Sequence, residues 1–130
     1  MLMGLKYAFN PKPEKSAKAY GLGLRISTKS SVQVCKAVKG KNLAKGKKLM
    51  ENLLVKKENL EGKHYTNIAK EMLNLLKSAE TNAEFKGLDT EKLVIHASAH
   101  RGFTMFRPRR FKMRGEHKKI TNLQVVLVQK

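Results

Sequence analysis

Residues 93–128 decide the fold and read LVIHASAHRGFTMFRPRRFKMRGEHKKITNLQVVLV. The segment predicts one long β-hairpin, because an alternating strand at its start and an apolar strand at 123–128 flank a turn near Pro108. The tip of this hairpin is expected at about 105–110. The residues that share one face of the first strand are Leu93, Ile95, Ala97 and Ala99.

The predicted hairpin is too long to fold back into the core of its own domain. Each arm has about 15 residues and spans about 50 Å. A compact domain formed by the whole chain has a radius of gyration of only about 14 Å. An isolated two-stranded ribbon is only marginally stable in water. The outer part of the hairpin is therefore expected to be disordered alone or held by a partner.

The composition of residues 100–119 indicates that this partner is RNA. The segment holds eight basic residues and one acid, with Phe103, Phe106 and Phe111 placed among the arginines. Arginine binds phosphate with a fork of donors, and aromatic rings stack on unpaired bases. Two other interpretations stay open: a flexible basic loop, or phenylalanines that pack on the body, although the hairpin length argues against the second.

Upstream of the hairpin, the pattern predicts a strand at residues 18–26. It would place one set of side chains on each face. Its glycines indicate that another group comes close to the backbone there, and this group could be a phosphate chain or a packed neighbour. Residues 1–17 are expected to be an extended basic segment, because two prolines bar a helix. The predicted faces of the strand hold Tyr20, Leu22, Leu24 and Ile26 on one side and Gly21, Gly23 and Arg25 on the other.

Three helices are predicted between this strand and the hairpin. The first begins at an N-cap in Ser27-Thr28 and ends at Gly40, and the second begins at Asn42. The third begins near Asn67 and ends at Gly87. Its apolar stripe, the clearest in the chain, consists of Ile68, Met72, Leu75, Leu76, Ala79 and Ala83. Residues 18–130 are thus expected to form a single α/β domain that includes the hairpin.

Positive charge is concentrated in two blocks. The 130 residues carry a net charge of +18, which divides into +11 for residues 1–60, −1 for 61–98 and +8 for 99–130. A neutral middle between two basic ends indicates a fold with basic surface on some sides only, which is typical of a nucleic-acid-binding protein. The plain alternative is that these residues only keep solvated faces soluble.

Several other classes of protein are disfavoured. No stretch approaches the roughly 20 apolar residues of a membrane span. The single Cys35 suits a reducing compartment, and with no targeting segment the cytoplasm is expected. His96 and His100 would share a strand face but lie too far apart to share a metal, and no catalytic or phosphate-loop motif is present. No cofactor, metal or catalytic residue is expected.

The chain resembles the L-twenty-two family of large-subunit ribosomal proteins, in its archaeal–eukaryotic branch. The most specific match is residues 79–89, AETNAEFKGLD. The stretch before the third helix is shorter than in that branch, and Lys112-Met113-Arg114-Gly115 replaces the usual Gly-Arg-Ala. Further matches are Tyr7, Asn10-Pro11, Ala17-Lys18-Ala19, Leu24-Arg25-Ile26-Ser27, Val34-Cys35-Lys36, Lys39-Gly40, Ala99-His100-Arg101-Gly102, Pro108-Arg109 and Val125-Val126-Leu127-Val128.

The resemblance implies an α+β fold, with a three-stranded antiparallel sheet packed against three helices and a long extended hairpin. It implies a structural constituent of the large ribosomal subunit that organises ribosomal RNA segments during assembly and lines the nascent-polypeptide exit tunnel. The implied partners are large-subunit ribosomal RNA, neighbouring ribosomal proteins and the nascent polypeptide, with no membrane and no homo-oligomer. The implied tunnel-facing tip is Met105, Phe106, Arg107, Pro108, Arg109 and Arg110.

Charge and resemblance together predict the residues that contact ribosomal RNA. Two alternatives are a freestanding architectural nucleic-acid-binding protein that inserts a basic β-arm into a groove and an enzyme acting on RNA, for which the sequence offers no candidate side chain. The predicted contacts are Lys12, Lys15, Lys18, Arg25, Lys29, Lys36, Lys39, Lys41, His100, Arg101, Phe103, Arg107, Arg109, Arg110, Phe111, Lys112, Arg114, His117, Lys118 and Lys119.

Overall fold

The structure, a computed structural model, describes residues 7–60, 62–103, 105–106 and 117–129, and these residues form three helices and five strands. The elements in chain order are β1 (Ser16–Leu24), α1 (Thr28–Val38), α2 (Leu43–Leu54), α3 (Thr66–Phe85), β2 (Leu93–Arg101), β3 (Met105–Phe106), β4 (His117–Lys118) and β5 (Thr121–Gln129). Short 3-10 turns at Pro13–Lys15 and Thr90–Lys92 precede β1 and β2.

The central element is β5, which pairs antiparallel with β1 on one side and β2 on the other. The partners run from Ser16↔Val128 to Gly21↔Leu123, and from Leu93↔Gln129 to Arg101↔Thr121. Because β5 is covered on both faces, its apolar residues need not alternate with polar ones. The predicted strand and the predicted α+β fold with a three-stranded antiparallel sheet are confirmed.

All three helices pack on one face of the sheet. The side chains of β5 on this face, Leu123, Val125 and Leu127, are fully buried. The predicted stripe of α3 is buried in the same cluster. Gly87, in the left-handed region at φ +76°, follows α3 where a stop was predicted.

The structure corrects the predicted faces of β1. The register with β5 shifts between Gly21 and Leu24, so strict alternation breaks there. Gly21 points into the core, where an added Cβ would lie 3.2 Å from Cδ1 of Leu75, and Leu22 is exposed on the opposite face. The close neighbour of Gly21 is therefore a packed side chain.

The N-terminal segment also departs from the prediction at one point. Pro13 begins a single 3-10 turn, which tolerates proline at its first position because that N–H has no partner in the turn. β1 then begins at Ser16, two residues earlier than expected. Residues 7–10 run along the outer face of the sheet, where the Ala8 amide donates to Oε1 of Gln124 at 2.9 Å.

Pairing between the two arms of the predicted hairpin continues beyond the three-stranded sheet. The Gly102 amide donates to the Ile120 carbonyl at 2.9 Å, and β3 then pairs with β4 through Met105↔Lys118 and Phe106↔His117. The rest of the predicted tip, residues 107–110, lies outside the described residues.

Candidate nucleic-acid interface

Two adjoining hollows lie where the hairpin leaves the body, and together they are called here the root surface. The larger, of about 590 Å³, is lined by Arg25, Ile26, Ser27, Ser30, Tyr65, Thr66, Asn67, Ile68, His117 and Lys119. The smaller, of about 370 Å³, shares Ser27, His117 and Lys119 and adds Thr28, Lys29, Arg101, Phe103, Lys118 and Ile120. The root surface thus combines residues from both basic blocks of the sequence.

A buried threonine holds these distant segments together. Thr121, at the start of β5, donates its hydroxyl to the Ile26 carbonyl at 2.8 Å, and its oxygen lies 2.7 Å from Oγ1 of Thr28. Ser27 caps α1 by accepting from the Ser30 amide. These bonds fix the turn from β1 into α1 beside the second arm of the hairpin, so Arg25 and Lys29 each line a hollow that Lys119 also lines.

Two helix N-termini contribute further positive potential. The larger hollow is lined by residues at the first turns of both α1 and α3, and neither first turn contains an acid. The N-cap of α3, Tyr65, adopts a left-handed conformation and offers its amides no side-chain cap. The N-terminal end of a helix carries about half a positive charge on its unsatisfied amides, which favours a bound anion.

Four cations of the root surface have no acidic partner in the described part of the chain. Arg25, Lys29, Arg101 and Lys119 are exposed, and none makes a side-chain hydrogen bond or ion pair with another described residue. The one ion pair found among those residues lies elsewhere, between Lys47 and Glu80 at 2.6 Å. These four cations are therefore available to phosphate oxygens.

Phe103 packs against the body at the base of the hairpin. A Cβ on Gly23 would lie 2.8 Å from Cε1 of Phe103, and Gly23 has a φ of +68°. The expectation that the hairpin phenylalanines stay off the body is therefore wrong for Phe103. Its ring is still 54% exposed, which leaves a face for stacking.

His100 is exposed, and its ring is held by side chains of the neighbouring strands. Its Nε2 lies 3.1 Å from the Tyr20 hydroxyl and 3.1 Å from Nδ2 of Asn122, an amide donor. Oδ1 of Asn122 in turn accepts from the Gly23 amide at 2.8 Å. These contacts link β1, β2 and β5 to one another.

The remaining predicted contact residues do not join the root surface. Lys18 donates to Oδ1 of Asn10 at 3.0 Å and lies 4.9 Å from the Tyr7 ring centroid, so it is used within the protein. Lys12, Lys15, Lys36, Lys39 and Lys41 are exposed but line neither hollow. Arg107, Arg109, Arg110, Phe111, Lys112 and Arg114 lie outside the described residues, as does Pro108.

Sequence reasoning missed a second surface, on the outer face of the sheet. The ring of Phe9 stacks on His96 with centroids 4.4 Å apart, and Tyr7 meets Tyr20 edge to face at 5.6 Å. A pocket of about 220 Å³ beside this stack, called here the outer-face pocket, is lined by Ala8, Phe9, Lys39, His96, Ala97, Ser98, Gln124 and Val126. The only signal was the apolar character of Tyr7-Ala8-Phe9 before the prolines.

The described residues offer little for metal or thiol chemistry. No three His, Cys, Asp or Glu side chains meet in a metal-binding arrangement among the residues that the structure describes. Burial raises the pKa of the Cys35 thiol to about 12, so the thiol stays protonated and unreactive near neutral pH. In the same residues, no helix combines the length and hydropathy that crossing a bilayer demands.

Comparison with known proteins shows which family the chain resembles. The sequence model of a family described as "Ribosomal protein L22p/L17e" matches residues 19–127. The chain is 35% identical to the large ribosomal subunit protein uL22 of Archaeoglobus fulgidus, over 82% of this chain and 84% of the relative. The uL22 proteins of Methanococcoides burtonii and Methanocaldococcus jannaschii are 33% and 32% identical, over 95% and 98% of this chain and 95% and 97% of the relatives.

Proposed function

This chain belongs to the ribosomal protein L22p/L17e family, and on that premise we propose that it binds large-subunit ribosomal RNA through the root surface and the arms of its hairpin. It is a structural constituent of the large ribosomal subunit in the cytoplasm, assembled there with RNA and other proteins, and it is not an enzyme. Family membership favours this function over a freestanding architectural protein.

The root surface is the observation that carries the proposal. Arg25 and Lys29 come from one basic block and Arg101 and Lys119 from the other, yet they line adjoining hollows. Phosphate oxygens would neutralise these cations and accept from the amides of two helix N-termini at once. Folded RNA offers such closely spaced phosphates, and Phe103 supplies a half-exposed ring for an unpaired base.

The body and the hairpin would contact different RNA segments. Lys36, Lys39 and Lys41 lie along and after α1 and are exposed outside the root surface. RNA bound to these lysines and RNA bound at the root surface would be held in a fixed relation by the rigid α1. The protein would in this way organise RNA segments during assembly, as a single copy.

The tip of the hairpin, residues 105–110, would form part of the wall of the nascent-polypeptide exit tunnel. The proposal is supported by the resemblance in sequence and by the pairing of β3 with β4, which extends the hairpin beyond the sheet. RNA along the arms would supply the contacts that such a ribbon lacks in water.

A charge-neutralising variant with a matched control tests RNA binding. The variant Arg25→Gln, Lys29→Gln, Lys119→Gln removes three cations of the root surface, and Lys70→Gln, Lys77→Gln, Lys92→Gln removes three exposed cations from the neutral middle of the chain. Affinity for large-subunit ribosomal RNA is measured between about 50 and 200 mM salt. The slope of log K against log salt is negative, and each lost phosphate contact reduces its magnitude by about 0.7–0.9.

The root-surface variant is therefore expected to lose roughly 2 to 3 units of slope, and the control less than about one. Both variants lower the net charge by the same amount, so a difference between them reports position rather than charge. Equal losses in the two variants would mean that RNA senses only the overall charge, and the proposed interface would be wrong.

A further inference from the structure

We propose that the outer-face pocket binds an unpaired nucleobase of RNA, which stacks on Phe9 while its phosphate contacts Lys39. The inference rests on the proposed function, because it identifies which part of the RNA the outer face of the sheet takes. None of the contacts predicted at the hairpin, and none at the root surface, involves this pocket.

The stack of Phe9 on His96 leaves part of Phe9 exposed, where a further ring can stack. Phe9 and His96 lie at an interplanar angle of 26° with centroids 4.4 Å apart, and His96 is half-buried on β2. One face of Phe9 is thus covered by His96, yet the side chain as a whole remains 42% exposed. A base that adds to a fixed, partly open ring gains stacking without the cost of ordering a flexible side chain.

The segment that carries Phe9 is tethered to the sheet. Oε1 of Gln124, on the central strand, accepts from the Ala8 amide at 2.9 Å and from the Ser98 hydroxyl at 3.2 Å. Tyr7 is fixed on the other side of Ala8 by its edge-to-face contact with Tyr20. The wall of the pocket is therefore positioned by contacts of Tyr7 and Ala8, the two residues that precede Phe9.

The residues that line the pocket are complementary to the parts of a nucleotide. Its lining includes the apolar side chains of Ala8 and Val126, which suit the face of a base, and the polar Ser98 and Gln124. Among the residues that the structure describes, no carboxylate lines the pocket, so the phosphate of a nucleotide meets no like charge from them.

Lys39 provides the cation at the rim. It is the C-cap of α1, exposed, and makes no side-chain hydrogen bond or ion pair with the other described residues. The next residue, Gly40, donates its amide to the Ile95 carbonyl at 2.8 Å, which fixes this corner against the edge of β2. Lys39 therefore lies beside the pocket on a rigid backbone and can contact a phosphate attached to the stacked base.

The test separates base stacking from phosphate binding. The full chain is titrated with a single-stranded oligoadenylate of about ten nucleotides and with an abasic oligonucleotide of the same length, which keeps the phosphates and lacks the bases. The variants are Phe9→Leu, Phe9→Tyr and Lys39→Gln. The control is Phe85→Leu, at the 93% exposed end of α3, and backbone amide NMR shifts of Ala8 and Ser98 report the pocket directly.

We expect Phe9→Leu to weaken oligoadenylate binding about 5- to 150-fold, the range of one lost stacked base, and to leave abasic binding unchanged. Phe9→Tyr should retain the affinity, Lys39→Gln should weaken both ligands, and Phe85→Leu should weaken neither. Oligoadenylate should shift the Ala8 and Ser98 amides in the wild type and in Phe9→Tyr, and should leave them unshifted in Phe9→Leu.

Two outcomes overturn the inference. Equal binding of both oligonucleotides by wild type and Phe9→Leu would show phosphate contact alone, and unshifted Ala8 and Ser98 amides in the wild type would show that the base binds elsewhere. If either outcome occurs while the triple variant of the root surface still shows the expected reduction in salt dependence, the nucleobase site is wrong and the proposed function stands. If that slope is also unchanged, the proposed function fails with it.

Discussion

Replacing Gly23 with alanine tests how the base of the hairpin is held against the body. The substitution has two effects that can be separated. An alanine at φ +68° enters the left-handed region, which costs about 1–2 kcal/mol, and its Cβ would lie 2.8 Å from Cε1 of Phe103. Relief of that contact requires the Phe103 ring to leave Gly23.

Gly40 provides the matched control. It has a φ of +82°, and an added Cβ would meet no atom within 4 Å, so Gly40→Ala incurs the backbone cost without the side-chain contact. Phe103 is 54% exposed, so displacing it forfeits roughly half of the 1.5–3 kcal/mol for full burial of such a side chain, or about 1 kcal/mol. Gly23→Ala should therefore destabilise the chain by about 1 kcal/mol more than Gly40→Ala.

The free energy of unfolding is measured by urea titration with far-ultraviolet circular dichroism, because the chain has no tryptophan. In a Phe103→Ala background the extra cost of Gly23→Ala should disappear, as a double-mutant cycle requires for a direct contact. If the two glycine variants agree within about 0.3 kcal/mol in the wild-type background, Phe103 does not rest on Gly23 and the reasoning about the hairpin base is refuted.

Further predictions concern the core, the tether and the thiol. Leu76→Ala, at a fully buried site, should lower the free energy of unfolding by about 2–5 kcal/mol, whereas Phe85→Ala, at a 93% exposed site, should change it by less than about 0.5 kcal/mol; equal urea midpoints would contradict the assigned faces of α3. Thr121→Val should cost about 1–3 kcal/mol, because the Ile26 carbonyl loses its donor; a neutral result in the same titration would show that this tether is dispensable. Burial raises the pKa of the Cys35 thiol from 9.0 to about 12, so folding favours the protonated thiol, and its contribution to stability is complete below pH 9 and falls as pH rises toward 12. Unfolding measured across that window should lose this dependence in Cys35→Ala, and a wild-type slope that persists in the variant would assign it to other groups.

Helices and strands with a regular pattern of apolar residues could be predicted from the sequence. The stripe of α3 repeats at helical spacing, and each of its residues is buried in the core. The apolar run of β5 likewise predicted a strand, because a central strand covered on both faces requires no alternation. In these cases local periodicity and tertiary packing agree.

Features that depend on irregular backbone were not readable. The faces of β1 were assigned by alternation, and the register shift between Gly21 and Leu24 defeats that rule. The contact of Phe103 with Gly23 depends on the same irregular stretch. No sequence pattern indicates the residue at which the register between two strands shifts.

The candidate interfaces were readable only in part. Charge blocks marked Arg25, Lys29 and Lys119 individually, but only the fold shows that they line adjoining hollows. The only signal for the Phe9–His96 stack was the apolar character of Tyr7-Ala8-Phe9, because the stack joins an extended terminal segment to a strand far along the chain. Sequence therefore identified the kind of partner, and the packing of distant segments located the contacts.

A reconstruction of the assembled large subunit, with density resolved around the root surface, tests the central claim most directly. We predict RNA phosphate oxygens within about 2.7–3.2 Å of the side-chain nitrogens of Arg25, Lys29 and Lys119. A root surface that faces bulk solvent, or that is covered by protein with no RNA in reach, would contradict the account.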